Sequence, residues 1–566
     1  MLPWLLLLAG AGPGLAAADD RPVVALPPFL VEEAAKGPPW RYTETPGYEV
    51  LSRCDDAATR RVIESHHALH HLLAHLLPET LQLRTAVPRI LILYDEELQP
   101  AASREVIERM LRPEPVPVAE DGVGLPGGRG MRFGPPGAPR RLQFLPNLRL
   151  WDRDGMAVFM IVRRGDFDAG GLALTPDYVA YLVKSRLPAL PPWFVHGFLA
   201  LYQDIKYDGG RLTLEPMEWI SPLHTAALKK DPKQAPPVRP VGGILRSEPP
   251  PADAHGTYTP MEAWRAQALL LVRWGLDPAG GERRLGLLRY VERSSVAGAS
   301  EELWRECLGL DFAATQEQLT AYLPTAVRRS LTFRPEKTTP LPPYVLRNAS
   351  DGQIARLKGD WERLEIPFVR RISAELAPKY VEQARRTLRR GYDRGERDPR
   401  LLAVLGLCEI DAGNEAGARE YLKAGFAIGP LRPRANYELA RLRFAEMRAA
   451  PAADGGRLSV AQAADVLRPL FAARAAAPPL PEVYELIGDV WAAVATTPNR
   501  QHLAVLDEGV RFFPRHAPLV FRAAELLATH GYREDATSLL ELAERLATDE
   551  PSRERVARVR RQLAAP

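Results

Sequence analysis

Five histidines crowd one short stretch: His66, His67, His70, His71 and His75. His67, His71 and His75 follow one another at i, i+4 and i+8, and His66 pairs with His70 at i, i+4. On a helix such residues share a face and offer imidazole nitrogens to Zn²⁺ or Cu²⁺. The same stretch carries Leu69, Leu72, Leu73 and Leu76. It therefore has a second reading, an amphipathic helix whose histidines fill the polar face. The three cysteines, Cys54, Cys307 and Cys408, have neither the number nor the spacing of a disulfide framework or a zinc site. Cys408 lies in an apolar run and is expected to pack as a small hydrophobe. A Cys54–Cys307 bridge is left open. No H-E-x-x-H occurs, and neither a Ser-His-Asp or Cys-His arrangement nor a phosphate-binding glycine loop stands at a workable spacing.

The elements that must position these residues follow from periodicity. Tyr48–Leu51 reads as a short strand, 56–77 as the helix bearing the histidines, and Arg89–Tyr94 and Ala157–Val162 as aliphatic strands. Residues 112–140 are crowded with Pro and Gly, which predicts a long loop or insertion. Beyond Val162, to about residue 333, the pattern is mainly helical, clearest over Met261–Trp274 and Glu301–Cys307. Pro335 and the Pro340-Leu341-Pro342-Pro343 run mark a linker.

At 566 residues the chain is expected to hold several domains. A net charge of +4 with 25% charged residues excludes a globally basic nucleic-acid binder. The cluster Arg385-Arg386-Thr387-Leu388-Arg389-Arg390 reads as a solvated helix face. The first residues have the form of a secretory signal: Leu2–Leu8 is apolar, and Ala16-Ala17-Ala18 precedes Asp19-Asp20. No basic residue precedes the apolar stretch, so a retained anchor is the other reading. No later segment has the length and apolarity of a membrane span. The expected place is outside the cytoplasm, periplasmic or extracellular. Asn348-Ala349-Ser350 matches a glycosylation acceptor in form.

Beyond about residue 378 an internal repeat emerges. Asp398-Pro399 opens a hairpin with Leu405-Gly406 in its first helix, Gly413-Asn414 at its turn, and Ala418 and Leu422 in its second helix. Prolines 430, 478, 514 and 551 recur, with the longer interval before Pro478 taken up by an insertion at Gly455-Gly456. The last unit repeats the offsets with Ala524, Gly531-Tyr532, Ala536, Leu540 and Ala543. This pattern resembles tetratricopeptide repeats, whose period is about 34 residues and which place small residues where helices cross. A degenerate preceding unit is read around Ala384 and Leu388. The resemblance implies an all-α solenoid that binds other proteins.

A second resemblance lies upstream, in Leu190-Pro191-Pro192-Trp193-Phe194-Val195-His196-Gly197-Phe198-Leu199-Ala200-Leu201-Tyr202. It looks like a segment of the peptidase MA-type, gluzincin-like zinc metallopeptidases, and Trp304–Leu323 looks like that family's end-of-domain pattern. The likeness spans about residues 40–325 and implies an α+β domain. In active members H-E-x-x-H supplies two zinc-binding His and the Glu that acts on water, and a Glu on the next helix completes the ligands. Placed on this chain, the first His falls on Asp177, the Glu on Tyr178, the second His on Tyr181 and the third ligand on His196. A tyrosine ligates poorly while its phenol keeps its proton, and the carboxylate base is gone. The resemblance thus implies vestigial positions and no zinc.

The expected organisation is a signal peptide over 1–18, an extended arm over 19–46 and a degenerate peptidase-like domain over 47–333. A linker and helical connector follow over 334–377, then a repeat domain over 378–566. The expected function is an exported, non-catalytic protein-binding or scaffolding protein. The alternatives are a zinc metallopeptidase with an atypical ligand set and a metal carrier using His67, His71 and His75.

Overall fold

The computed structural model describes residues 38–77, 88–95, 143–144, 147–162, 172–173, 176–184, 186–203, 205–207, 212–231, 233, 236–246, 260–333, 341–372, 374–449 and 457–564. The expected signal over 1–18, the Pro/Gly-rich stretch over 112–140 and the Gly455-Gly456 insertion lie outside them.

A six-stranded sheet forms the first half, in the order β11-β1-β2-β3-β6-β5. Its strands are β1 (Arg41–Thr45), β2 (Tyr48–Ser52), β3 (Arg89–Asp95), β5 (Asn147–Trp151), β6 (Met156–Val162) and β11 (Arg347–Asn348). The central strands β2, β3 and β6 run parallel, with Leu91 opposite both Val50 and Val158. Ile90 to Tyr94 of β3 and the whole of β6 are apolar runs because both faces of this part of the sheet are covered. Val50, Leu91, Leu93, Val158 and Met160 face the main core. On the other strand phase, Phe159 meets Trp361 with ring centroids 5.6 Å apart. The expected arm over 19–46 is corrected at its end, since residues 41–45 are strand β1, paired on both sides.

Helix α1 (Asp56–Leu76), capped by the Asp55 side chain, packs on the main core. Two small sheets follow, β4 (Gln143–Phe144) with β7 (Leu172–Ala173), and β8 (Ile205–Tyr207) with β9 (Leu212–Leu214) and β10 (Leu331–Phe333). Between them lie α2 (Pro176–Lys184), α3 (Pro192–Gln203), α4 (Pro222–Lys230), α5 (Val241–Arg246), α6 (Pro260–Leu276), α7 (Arg283–Ala297), α8 (Glu301–Leu308) and α9 (Phe312–Ala326). Helix α6 is buried from Ala263 to Leu276 except at Arg265, so the stretch read as a clear apolar helix is the centre of this layer. Cys54, Cys307 and Cys408 are all buried free thiols; the Cys54–Cys307 bridge is not formed. Burial pushes the Cys54 thiol up to about 12.

The second half is an all-helical repeat. Its helices pair as α10 (Asp351–Ile372) with α11 (Ala377–Asp393), α12 (Pro399–Asp411) with α13 (Glu415–Ile428), and α14 (Pro433–Ala449) with α15 (Val460–Ala475). Then come α16 (Pro481–Ala493), α17 (Arg500–Phe512), α18 (Ala517–Thr529), α19 (Arg533–Leu546) and the closing helix α20 (Glu550–Ala564). The first helices α10, α12, α14, α16 and α18 also pack on one another in succession, which is the inner layer of a helical solenoid. Ala418, Ala524 and Ala536 are buried at the crossings, as their offsets predict. Pro430, Pro478 and Pro514 follow helix ends, whereas Pro551 sits in the first turn of α20. The stack begins at Asp351 rather than at residue 378. What reads as a connector is the first helix of the first hairpin, and Ala384 and Leu388 of α11 are fully buried against it.

Candidate functional site

Asp177, Tyr178 and Tyr181 all fall in α2 and His196 falls in α3, and the two helices pack together. The side chains of those three α2 residues lie outside the described part. His196 itself is half-buried and edge-on to Trp264, with ring centroids 5.3 Å apart. Burial holds its imidazole below the usual histidine range, and the Arg265 and Lys184 charges add to the effect.

The histidine-rich helix has found internal partners. His66 is buried, 4.4 Å from the Tyr48 ring and 4.7 Å from the His70 ring between centroids. Arg89 donates to His70 Nε2 at 2.8 Å, which fixes that nitrogen as an acceptor. Burial holds both imidazoles well below their ordinary value, helped at His66 by His70 and then Arg89, and at His70 by Arg89. The i, i+4 pair His66–His70 is thus spent on Tyr48 and Arg89, the first residues of the central strands β2 and β3. Of the three candidate ligands, His67 is partly buried, and the side chains of His71 and His75 lie outside the described residues. Among the described residues no group of three His, Cys, Asp or Glu is placed to hold a metal.

The most strongly built charged site is one that sequence reading did not single out. β5 and β6 are joined by Asp152-Arg153-Asp154-Gly155, closed by the Asp152 amide donating to Gly155 O at 3.0 Å. This turn is set against the first helices of the repeat. Arg363 of α10 is fully buried and donates to Asp152 at 2.6 Å, Asp360 at 2.7 Å and Asp411 at 3.0 Å. Arg432, just before α14, reaches Asp152 at 3.0 Å, Asp154 at 2.6 Å and Asp360 at 3.1 Å. Arg434 reaches Asp152 at 3.0 Å and Asp411 at 2.5 Å. Its backbone amide donates to Asp154 Oδ2 at 2.7 Å. Asp154 therefore caps α14 from a distant part of the chain, satisfying an N–H that the helix itself leaves without a partner.

Three guanidinium groups face four carboxylates in this cluster. Burial works against the charge of Asp152, yet Arg432, Arg363 and Arg434 hold its carboxyl far below the usual range. Asp154 goes the other way: burial, with the adjacent Asp152 charge, raises its carboxyl despite Arg432. Gly155 is required by contact, since a Cβ there would run into an Arg432 nitrogen that carboxylates already hold in place. Arg153 extends the turn outward, 5.9 Å over the Tyr437 ring of α14 and 3.2 Å from Glu482 of α16.

A second charged contact ties β2 to the same helices. Arg356 of α10 donates twice to Glu49, at 2.8 and 2.5 Å, and Tyr42 donates to Glu49 at 2.6 Å. Burial opposes the Glu49 charge, but Arg356 keeps the carboxyl below its ordinary value.

No family model matches this chain, and no curated protein matches it. Among solved structures, a thermophilic TPR protein of Thermus thermophilus is similar at 20% identity, over 33% of this chain and 95% of that one, with a TM-score of 0.23. Among the described residues, no helix is long and apolar enough to cross a membrane.

Proposed function

We propose that this protein is an exported, non-catalytic scaffold that binds other proteins through its helical hairpins. On this reading the first half is a peptidase-like domain that has lost its chemistry. The observation that carries the reading is the repeat itself, stacked hairpins held on a sheet by a buried charge cluster. A surface held this firmly meets a partner without ordering itself first, which favours binding. The residues at the matched positions, Asp177, Tyr178 and Tyr181 in place of His, Glu and His, support the non-catalytic part. The signal-like first residues, Met1 to Ala18, support export.

Two measurements test this. Full-length chain and its Gly406→Leu form are used as paired baits, with cross-linking, on the exported fraction of the native cells. Specific partners should appear with the first and be lost with the second; equal recovery from both would remove the repeats from the account. For the catalytic alternative, a form with His67, His71 and His75 changed to alanine is assayed for bound zinc and casein cleavage. One zinc per chain with chelator-sensitive cleavage, both abolished by His196→Ala, would make the protein a metallopeptidase instead.

A further inference from the structure

We infer that the Asp152–Gly155 turn is an intramolecular ligand of the solenoid, occupying an acid-binding seat on the inner helices that an acidic partner segment would otherwise use. The inference rests on the protein-binding reading above and names the chemistry of one partner surface.

The turn contacts α10, the start of α14 and, through Arg153, α16. These are first helices of three hairpins, the layer that lines the inside of a solenoid. The contact has the parts of a recognition site. Arg432 and Arg434 present guanidinium groups, the Arg434 amide opens a 17-residue helix, and Asp154 fills the position with a carboxylate. Asp360 and Asp411 belong to the repeat and orient those arginines from behind. The turn contributes two carboxylates separated by one residue. Gly155 lets its backbone come down onto Arg432. A segment carrying Asp-x-Asp followed by a small residue is therefore the chemistry this seat takes.

The bound turn is tethered by β5 and β6, so its local concentration exceeds that of any free segment. The seat is accordingly closed in the resting chain, and the apparent affinity of an outside segment is lowered by the fraction of chains with the seat open.

The probe is a fluorescein-labelled, end-cyclised peptide of residues 149–157, with the same peptide carrying Asn at both Asp positions as control. Gly155→Val should push the turn off Arg432 while leaving every arginine in place. The full-length Gly155→Val chain should bind the probe at least about tenfold more tightly than wild type. Adding Arg432→Ala should abolish the gain. A folded Gly155→Val chain that binds no better than wild type overturns the inference. Should that variant lack the wild-type ellipticity, hydrogen exchange on the wild-type chain decides. Excess Asp peptide must speed exchange of the 152–155 amides and the Asn peptide must not; no difference between the two overturns it. A chain that captures its protein partners yet fails both peptide tests keeps the scaffold reading and loses this one.

Discussion

Two residues show how narrow the tolerances are. At Gly406 an added Cβ would lie 2.5 Å from both Leu422 Cδ2 and Cγ. Both atoms belong to a side chain buried between α12 and α13, so it has nowhere to go. Gly406→Leu is expected to cost about 1–3 kcal/mol by overpacking. Urea unfolding should show a lower midpoint; a midpoint equal to wild type would mean that the hairpin crossing is not where the structure puts it. At His66 and His70 the consequence is a pH dependence. Both are held neutral when folded, below the ordinary histidine pKa of about 6.5. Below that pH the unfolded chain binds protons that the folded chain refuses. Stability should therefore fall as pH drops through about 6.5 and be fully present above it. Replacing His66 with Phe and His70 with Gln should flatten the slope of the unfolding midpoint between about pH 7.5 and 5.5.

At the scale of elements, α10 decides most of the architecture and was the least legible. Its sequence carries Arg356, Lys358, Asp360, Glu362, Arg363 and Glu365, all buried. Charge of that density reads as a solvated connector, because charges are seldom buried unless paired. The partners of Arg356 and Arg363 include Glu49 and Asp152, hundreds of residues upstream, and no local pattern announces them. By contrast β3, β6 and the hairpins from Pro399 onward were legible. Their periodicity and small-residue offsets are local, and the burial they demand is what the structure supplies. The placement of Asp177, Tyr178, Tyr181 and His196 on two packed helices was legible only through resemblance. The burial of His196 against Trp264 was not, since Trp264 comes from another helix.

The charge cluster sorts its own mutations. Arg363→Ala leaves buried carboxylates facing one another and is expected to cost about 3–5 kcal/mol. Asp154→Asn should cost clearly less than Asp152→Asn, because the cluster already holds one acid more than its bases neutralise. Thermal unfolding of the three variants checks the order, and a reversal would mean that Asp154 rather than Asp152 anchors the arginines. Asp152, held far below its unfolded value of about 3.9, contributes stability that is present above that pH and is lost as pH falls below it.

On the scale of the whole molecule, burial in the solenoid falls away at its last helix. Helix α12 is buried continuously from Leu401 to Glu409, enclosed by its neighbours. In α20 only Val556 and Val559 are buried. Repeat arrays transmit stability between neighbours, so amide exchange should be slowest in α12 and fastest toward α20. Uniform protection from end to end would contradict that gradient.

Helix α10 has one more consequence. It closes one face of the sheet through Trp361 and is at once the first wall of the hairpin stack. A chain cut after Phe333 strips the sheet of its lid and lays bare Ile92, Phe159 and Ile161. A chain started at Ala377 deprives Leu401–Glu409 of the helix that covers it. The two halves have a boundary in the sequence and none in the packing, and neither is a detachable module. A gene fragment encoding only one of them is expected to give insoluble protein.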